Sequence, residues 1–367
     1  MATRFTTGRA PSTPASFVRH ALDRAVHFVI AWWRAPFWFL ALFTGAKSFA
    51  DNRILGSRRL NRAGLHVWRL KAAHALTRHR RARLARRIPG HLREQFDRDG
   101  FIVVNDVLPP AGFRRIQRVM LETEFECRAQ QQGDTIARRV PVGTDLRRLC
   151  PELDRLMRSG WWRGLMAYVA GASTAPLYYI QTIAGGVAEG PPDPQLQLHC
   201  DTFHPSLKAW FFLTDVEEDG RPLTYVAGSH RLSPKRIAWE HRKSIEVMET
   251  GDRLSQRGSF RIRPEELSAL GLPQPTRFAV PANTLVIVDT CGFHARGDSH
   301  RQTVRVELWA FSRRNPFIPW TWAGLSSLQW LADRRAEILL ALTDGLDRFG
   351  LRKQHWVRAG RARPIDS

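Results

Sequence analysis

The first long apolar run, residues 26–44, reads VHFVIAWWRAPFWFLALFT. It approaches the roughly 20 residues that cross a bilayer. Arg34 and Pro36 stand at its middle, however. A central Arg costs roughly 2.5–3.5 kcal/mol on insertion, and a proline interrupts a helix. Trp32, Trp33 and Trp38 place interface-preferring rings where a span would carry aliphatics. The pattern predicts a kinked helix lying in a membrane surface, ahead of a helix packed on the folded domain or a true span. From Arg53 to Arg87, Leu65, Trp68, Ala72 and Leu76 recur at helical spacing among Arg and Lys. That predicts a basic amphipathic helix of the surface-binding kind.

Pro89-Gly90 punctuates the chain and suggests a domain boundary. A short helix over His91–Arg98 and a strand over Phe101–Val104 follow. Pro109 and Pro110 open a helix expected to run to about Gln130, on apolar Phe113, Ile116, Met120 and Leu121. Another helix covers Glu152–Val169. The period then shortens. Strands are expected at Leu177–Ile183, Leu196–Asp201, Lys208–Thr214, Leu223–Val226, Arg277–Val280, Thr284–Asp289 and Thr303–Ser312. Residues 231–275 carry many charges and few strand signals, and read as an insertion or lid. After Asn315 come Trp320, Trp322 and a helix near Leu328–Leu346. The organisation is thus a basic helical extension (1–90), a mainly β core with flanking helices (91–320) and a helical tail (321–367). The core reads as a β-sandwich or jelly roll.

Charge sharpens the division. Of the net charge of +22, +16 falls in residues 1–90, where 18 Lys and Arg face only Asp23 and Asp51. Such a segment attracts an anionic membrane surface. Nucleic acid is the weaker reading, because no binding motif accompanies the charge. Cys127, Cys150, Cys200 and Cys291 form no CxxC pair, which fits a reducing compartment. No signal peptide is readable. The expected location is cytoplasmic, peripheral on the cytoplasmic membrane face.

The chemistry centres on LQLHCDTFH. On a strand, His199 and Asp201 point to one face. His294 follows a later strand in DTCGFHARGD. Two imidazoles and one carboxylate form the facial set of non-haem Fe(II) oxygenases. The open positions would take a bidentate 2-oxo acid and then O2. Arg305, eleven residues beyond His294, offers a fork for a distal carboxylate. His204, His230, His241 and His300 are neighbours in sequence; His230 reads as structural and His204 as a cavity wall. Cys200 should point away from the metal.

In order and spacing, HLREQFDRDGFIVVNDVLPPAGFRRIQ, LHCDTFH, AWFFLTDVEEDGRPLTYVAGSH and ANTLVIVDTCGFHARGDSHRQTVRVELWAF resemble the phytanoyl-CoA dioxygenase family of Fe(II)/2-oxoglutarate oxygenases. The resemblance spans about residues 91–314. It implies a double-stranded β-helix of the cupin-like kind, Fe(2+) on His199, Asp201 and His294, and 2-oxoglutarate clamped by Arg305. It also places Trp210 and Gln181 at the cosubstrate pocket. Two departures stand out: Ala227 replaces a usual Pro, and Arg296 stands where a small hydroxyl residue often makes a second cosubstrate contact. The implied reaction is hydroxylation of an aliphatic C–H with release of succinate and CO2. A lipid or membrane-presented substrate is expected from residues 1–90. A soluble small-metabolite hydroxylase and a non-catalytic binding protein of the same fold are the alternatives.

Overall fold

The computed structural model describes residues 33–322 and 329–366. The helices are α1 (33–40), α2 (Arg58–Arg62), α3 (Leu65–Leu84), α4 (Gly90–Asp99), α5 (Pro110–Glu122), α6 (Thr144–Leu149), α7 (Pro151–Arg158), α8 (Gly160–Ala170), α9 (Pro234–Glu246), α10 (Arg253–Gln256), α11 (Pro264–Leu270) and α12 (Gln329–Arg348). The strands are β1 (Phe101–Val104), β2 (Phe125–Gln132), β3 (Thr135–Pro141), β4 (Leu177–Gly185), β5 (Leu207–Phe212), β6 (Leu223–Tyr225), β7 (Thr276–Arg277), β8 (Leu285–Asp289), β9 (His294–Arg296), β10 (Thr303–Ser312) and β11 (Val357–Ala362).

An antiparallel sheet of eight strands runs β1-β8-β5-β10-β4-β3-β2-β11, and a smaller one runs β7-β6-β9. His199 bridges β9 at His294 and so adds an edge to the smaller sheet. From β4 to β10 the chain passes repeatedly between the two sheets, which is the double-stranded β-helix expected. Side-chain alternation divides the core in two. Ile180, Phe211, Val306 and Leu308 face the helices, against Leu92, Phe96, Trp162 and Leu165. Tyr179, Trp210, Phe212 and Trp309 face inward, against Leu223 and Tyr225 of the smaller sheet.

Several boundaries differ from the sequence reading. The helix after Pro109 ends at Glu122, and β2 and β3 take the residues beyond it. Their alternation is masked because both faces carry Arg and Gln. Ser159 divides the expected 152–169 helix, its hydroxyl accepting the Trp162 amide as an N-cap. Leu196–Asp201 is not a ladder strand; it follows a 3-10 turn, and only His199 makes bridges.

The basic stretch 53–87 is the main correction. It is not a free surface-binding helix, because α3 packs on the domain along a different face from the one expected. His66, Arg69, Leu70, Ala73, Thr77, Arg80, Arg81 and Leu84 are buried, while Trp68 is exposed. Three arginines on that face donate to backbone carbonyls that have no ladder partner. Arg69 reaches Leu42, Thr44 and Ala46; Arg80 reaches Gly171, Pro316 and Ile318; Arg81 reaches Tyr168 and Val169. Buried carbonyls need such donors, so these three charges are structural cross-links. The 231–275 segment, expected as an insertion or lid, is pinned to α3 by a buried relay of Arg236, Glu240 and His66. Of the expected membrane helix 26–44, residues 26–32 lie outside the described residues. Among the described residues no helix is long and apolar enough to cross a membrane.

Candidate metal centre

His199 and His294 face each other across an antiparallel bridge. Each amide donates to the other's carbonyl, at 3.0 and 2.9 Å. Directly opposed residues send their side chains to one face, and the two rings sit 4.6 Å apart, centroid to centroid. The Asp201 amide donates to Thr290 O at 2.9 Å, which turns its carboxylate toward the same point. Oδ1 of Asp201 lies 3.7 Å from Nε2 of each imidazole. The three donor atoms fall within 4.8 Å of one another, and no other such group occurs among the described residues.

The surrounding hydrogen bonds fix which nitrogens face the centre. Nδ1 of His199 lies 2.7 Å from Gln197 O, and Nδ1 of His294 lies 3.0 Å from Gly292 O. Carbonyls only accept, so both Nδ1 atoms carry the proton and both Nε2 atoms present lone pairs inward. This is how ligating histidines are held. Nε2 of His294 is buried without a partner, an orphan that a divalent cation would satisfy. Burial pushes the His199 imidazole well below its ordinary range, with His294 and Arg261 adding to the shift. Burial alone would raise the Asp201 carboxyl, but Lys208 and the two imidazoles hold it well below its usual range. Neutral imidazoles beside an ionised carboxylate are the states that bind metal.

Gly292 has a local reason to be glycine. A Cβ there would fall 1.9 Å from Tyr225 Oη, and that hydroxyl donates to Asp289 O within the same turn. The Thr290–Phe293 turn can pass Tyr225 only as bare backbone. Cys200 points away from the centre, as expected, among Phe49, Trp239, Phe260 and Phe293.

The centre opens into a cavity of about 260 Å³ lined by Gln181, Lys208, Trp210, Arg296, Arg305 and Trp309, among others. Arg305, on the inward face of β10, is buried. Its Nε donates to Glu307 at 3.1 Å and its Nη1 to Arg221 O. Glu307 also accepts from Gln181, which accepts in turn from Arg139. Arg139 lies between the rings of Trp309 and Trp356, at 4.0 and 4.1 Å. Gln181 and Trp210 thus reach the cavity, Gln181 through the arginine network and Trp210 opposite Trp309 on β10. Arg296 also lines it, ion-paired to Asp193 and pushed down to about 10 by burial. His230 packs on Phe96 outside the cavity, and burial holds His204 at about 3.

Arg139, Glu307 and Trp309 were missed by the sequence reading. Glu307 and Trp309 could have been found by alternation from Arg305 along β10. Lys47 was also missed. It sits in the irregular segment before α2, where no period operates, and donates to Asp201 O at 2.5 Å. Burial, with Arg313 nearby, pushes it down to about 8.

The family model of phytanoyl-CoA dioxygenase matches residues 96–253, which include His199 and Asp201. This part of the chain is similar to the phytanoyl-CoA dioxygenase family. It is the core of an Fe(II)- and 2-oxoglutarate-dependent oxygenase, and the donor set of two imidazoles and one carboxylate fits that metal. No curated protein matches the chain. Among solved structures, the chain is similar to the epimerase SnoN in complex with Fe3+, alpha ketoglutarate and nogalamycin RO. Identity is 21%, covering 63% of this chain and 83% of that one, at a TM-score of 0.39. HygX from Streptomyces hygroscopicus, with nickel, 2-oxoglutarate and hygromycin B, matches at 15% over 64% and 90%, TM-score 0.40. EctD from S. alaskensis with bound Fe matches at 16% over 61% and 76%, TM-score 0.35.

Proposed function

We propose that this oxygenase hydroxylates an aliphatic C–H, with His199, Asp201 and His294 as the iron ligands and Arg305 as the clamp on the distal carboxylate of 2-oxoglutarate. The observation that carries the reading is the pair of Nε2 atoms and the Asp201 carboxylate converging on one point, with Arg305 in the same cavity. Bound iron, 2-oxoglutarate and O2 supply the oxidising chemistry and yield succinate and CO2. The protein does the positioning. Gln197 O and Gly292 O orient the imidazoles, and Lys208 holds the second oxygen of Asp201 at 2.7 Å. Glu307 aligns the Arg305 fork. Trp210 and Trp309 give the cavity aromatic walls. The test is iron-dependent conversion of labelled 2-oxoglutarate to succinate. Wild type should turn over, and Arg305→Gln should raise the cosubstrate KM by about 100-fold, the loss of a bidentate charged pair. Equal KM values would refute the clamp.

Presentation of the substrate at a membrane surface is part of the proposal. Its support is an exposed aromatic ridge: Trp33, Phe37, Phe39 and Phe43 are exposed, and Phe43 leads through Trp68 to Phe317 by ring contacts. Contiguous exposed apolar surface of this kind marks an interaction site. Replacing Phe37, Phe39 and Trp68 with Ser should release the protein from anionic liposomes at unchanged melting temperature. Unchanged liposome binding would refute attachment through this ridge. The small-metabolite alternative is favoured by the packing of α2 and α3 on the domain, and a triple variant with full activity on its substrate in detergent-free buffer would support it.

A further inference from the structure

A second cavity, of about 850 Å³, lies between α3, α4 and α9 and shares no lining residue with the metal cavity. Its floor is apolar: Phe96, Tyr168, Pro205, Leu232 and Ile237. Phe96 and Tyr168 are buried and meet edge to face at 5.7 Å. Its rim is cationic: Lys71, Arg78 and Arg231 are exposed and Arg93 is half-buried. Among the described residues these four make no ion pair. On other surfaces Arg115, Arg158, Arg277 and Arg301 each pair with a carboxylate. Asp97 is the carboxylate at the rim, and it accepts from the Tyr168 hydroxyl at 2.8 Å. Arg81, also in the wall, is spent on Asp289. His74 and His230 complete the wall, and burial pushes each down to about 4, so both are neutral.

The rim cations are solvated and cost the fold little. What they set is the field over the opening, since a cleft walled by one sign of charge concentrates the opposite sign. A cationic rim over an apolar floor complements an anion that carries an apolar tail. The source of that anion follows from α3. Residues 68, 71, 75, 78 and 82 recur at alternating three- and four-residue spacing and so share one face of the helix. Lys71, Ala75, Arg78 and Ala82 line the cavity, and Trp68 continues the stripe into the aromatic ridge with Phe43 and Phe317. We propose that this cavity binds one anionic phospholipid, its headgroup phosphate held by Lys71, Arg78, Arg93 and Arg231 and the start of its acyl chains on the Phe96 floor. The inference rests on the membrane reading above for the source of the ligand.

The test is calorimetry of the full chain with dihexanoyl phosphatidate below its micelle concentration, against dihexanoyl phosphatidylcholine and inorganic phosphate. The phosphatidate should bind one to one and at least about 10-fold more tightly than either. Ala75→Trp fills the cavity at an exposed helix position without altering charge, and should abolish binding at unchanged melting temperature. Lys71→Glu with Arg231→Glu should weaken it at least about 10-fold. Arg83→Glu, exposed on α3 but off the stripe, should leave it intact. Equal binding of phosphatidate and phosphatidylcholine, or unchanged affinity in Ala75→Trp, would overturn the inference. Inorganic phosphate binding as tightly as the phosphatidate would make this a free-anion site and overturn the lipid assignment. Binding of soluble phosphatidate without binding to phosphatidate-containing vesicles would refute the membrane reading and leave the cavity assignment standing.

Discussion

Replacing Arg81 with Met isolates the link between the N-terminal helix α3 and the turn that leads to His294. Arg81 Nη2 meets Asp289 Oδ2 at 2.8 Å, with the Asp289 side chain 1% exposed. Asp289 closes β8, and its Oδ1 also accepts the amides of Ser206 and Cys291 at 3.0 and 3.2 Å. Removing one partner of a buried pair costs roughly 3–5 kcal/mol. The two amide bonds keep Asp289 partly satisfied, so the low end applies, about 3 kcal/mol or a roughly 150-fold loss in the folded-to-unfolded ratio. The assay is urea unfolding of wild type, Arg81→Met, Asp289→Asn and the double variant at pH 7. The coupling between the two single changes should exceed about 1 kcal/mol, as expected of residues in contact. The pH dependence has a definite sign. Burial would raise the Asp289 carboxyl, but Arg81, followed by His230, holds it below the ordinary value. A depressed carboxyl stabilises the fold fully above the unfolded value of about 3.9 and loses that contribution as pH falls toward the folded value. The difference between wild type and Arg81→Met should therefore shrink below about pH 4. A loss under 0.5 kcal/mol at pH 7, or additivity in the cycle, would refute the claim that α3 is built into the core.

Further consequences concern the same frame. Deleting residues 1–88, most of the basic helical extension, takes away buried Arg69, Arg80 and Arg81 together with Lys47. The truncated chain should lose soluble yield and melt more than 10 °C lower by a size-scaled estimate of roughly 2–4 °C per kcal/mol; an unchanged melt would contradict the packing. Gly292→Ala drives a methyl into Tyr225 Oη and should weaken iron binding at least about 10-fold by displacing the turn that carries His294. Tyr225→Phe in the same chain should recover part of that loss, measured by metal retention after gel filtration, whereas no recovery would deny the clash. Arg305→Lys should restore less than half of the affinity lost in Arg305→Gln, because an ammonium cannot reproduce the fork.

Much of the β-helix was legible because its strands obey period two with apolar residues on the helix-facing side. Phe101–Val104 and Thr303–Ser312 were bounded as they stand. β2 and β3 were not, since their cavity-facing and outer positions are both polar and the pattern loses its contrast. The clustering of His199, Asp201 and His294 was legible from residue types and spacing. The assumed geometry was only partly right: His199 owes its orientation to isolated bridges with His294 and Arg261 rather than to a strand. The basic face of α3 was misread for a physical reason. Arginines that donate to irregular backbone carbonyls look, in one dimension, like arginines that face lipid headgroups. Nothing in the periodicity marks Arg69, Arg80 and Arg81 as interior; only the positions of the carbonyls at 42–46, 168–171 and 316–318 do.

The most direct measurement is anaerobic equilibrium dialysis of the full chain against Fe(II) with 2-oxoglutarate, followed by metal and cosubstrate analysis. One iron and one 2-oxoglutarate per chain should be retained by wild type, while His294→Ala should retain neither. Stoichiometric iron held by His294→Ala, or iron held by wild type without 2-oxoglutarate, would contradict a single centre built from residues 199, 201 and 294 with Arg305 facing it.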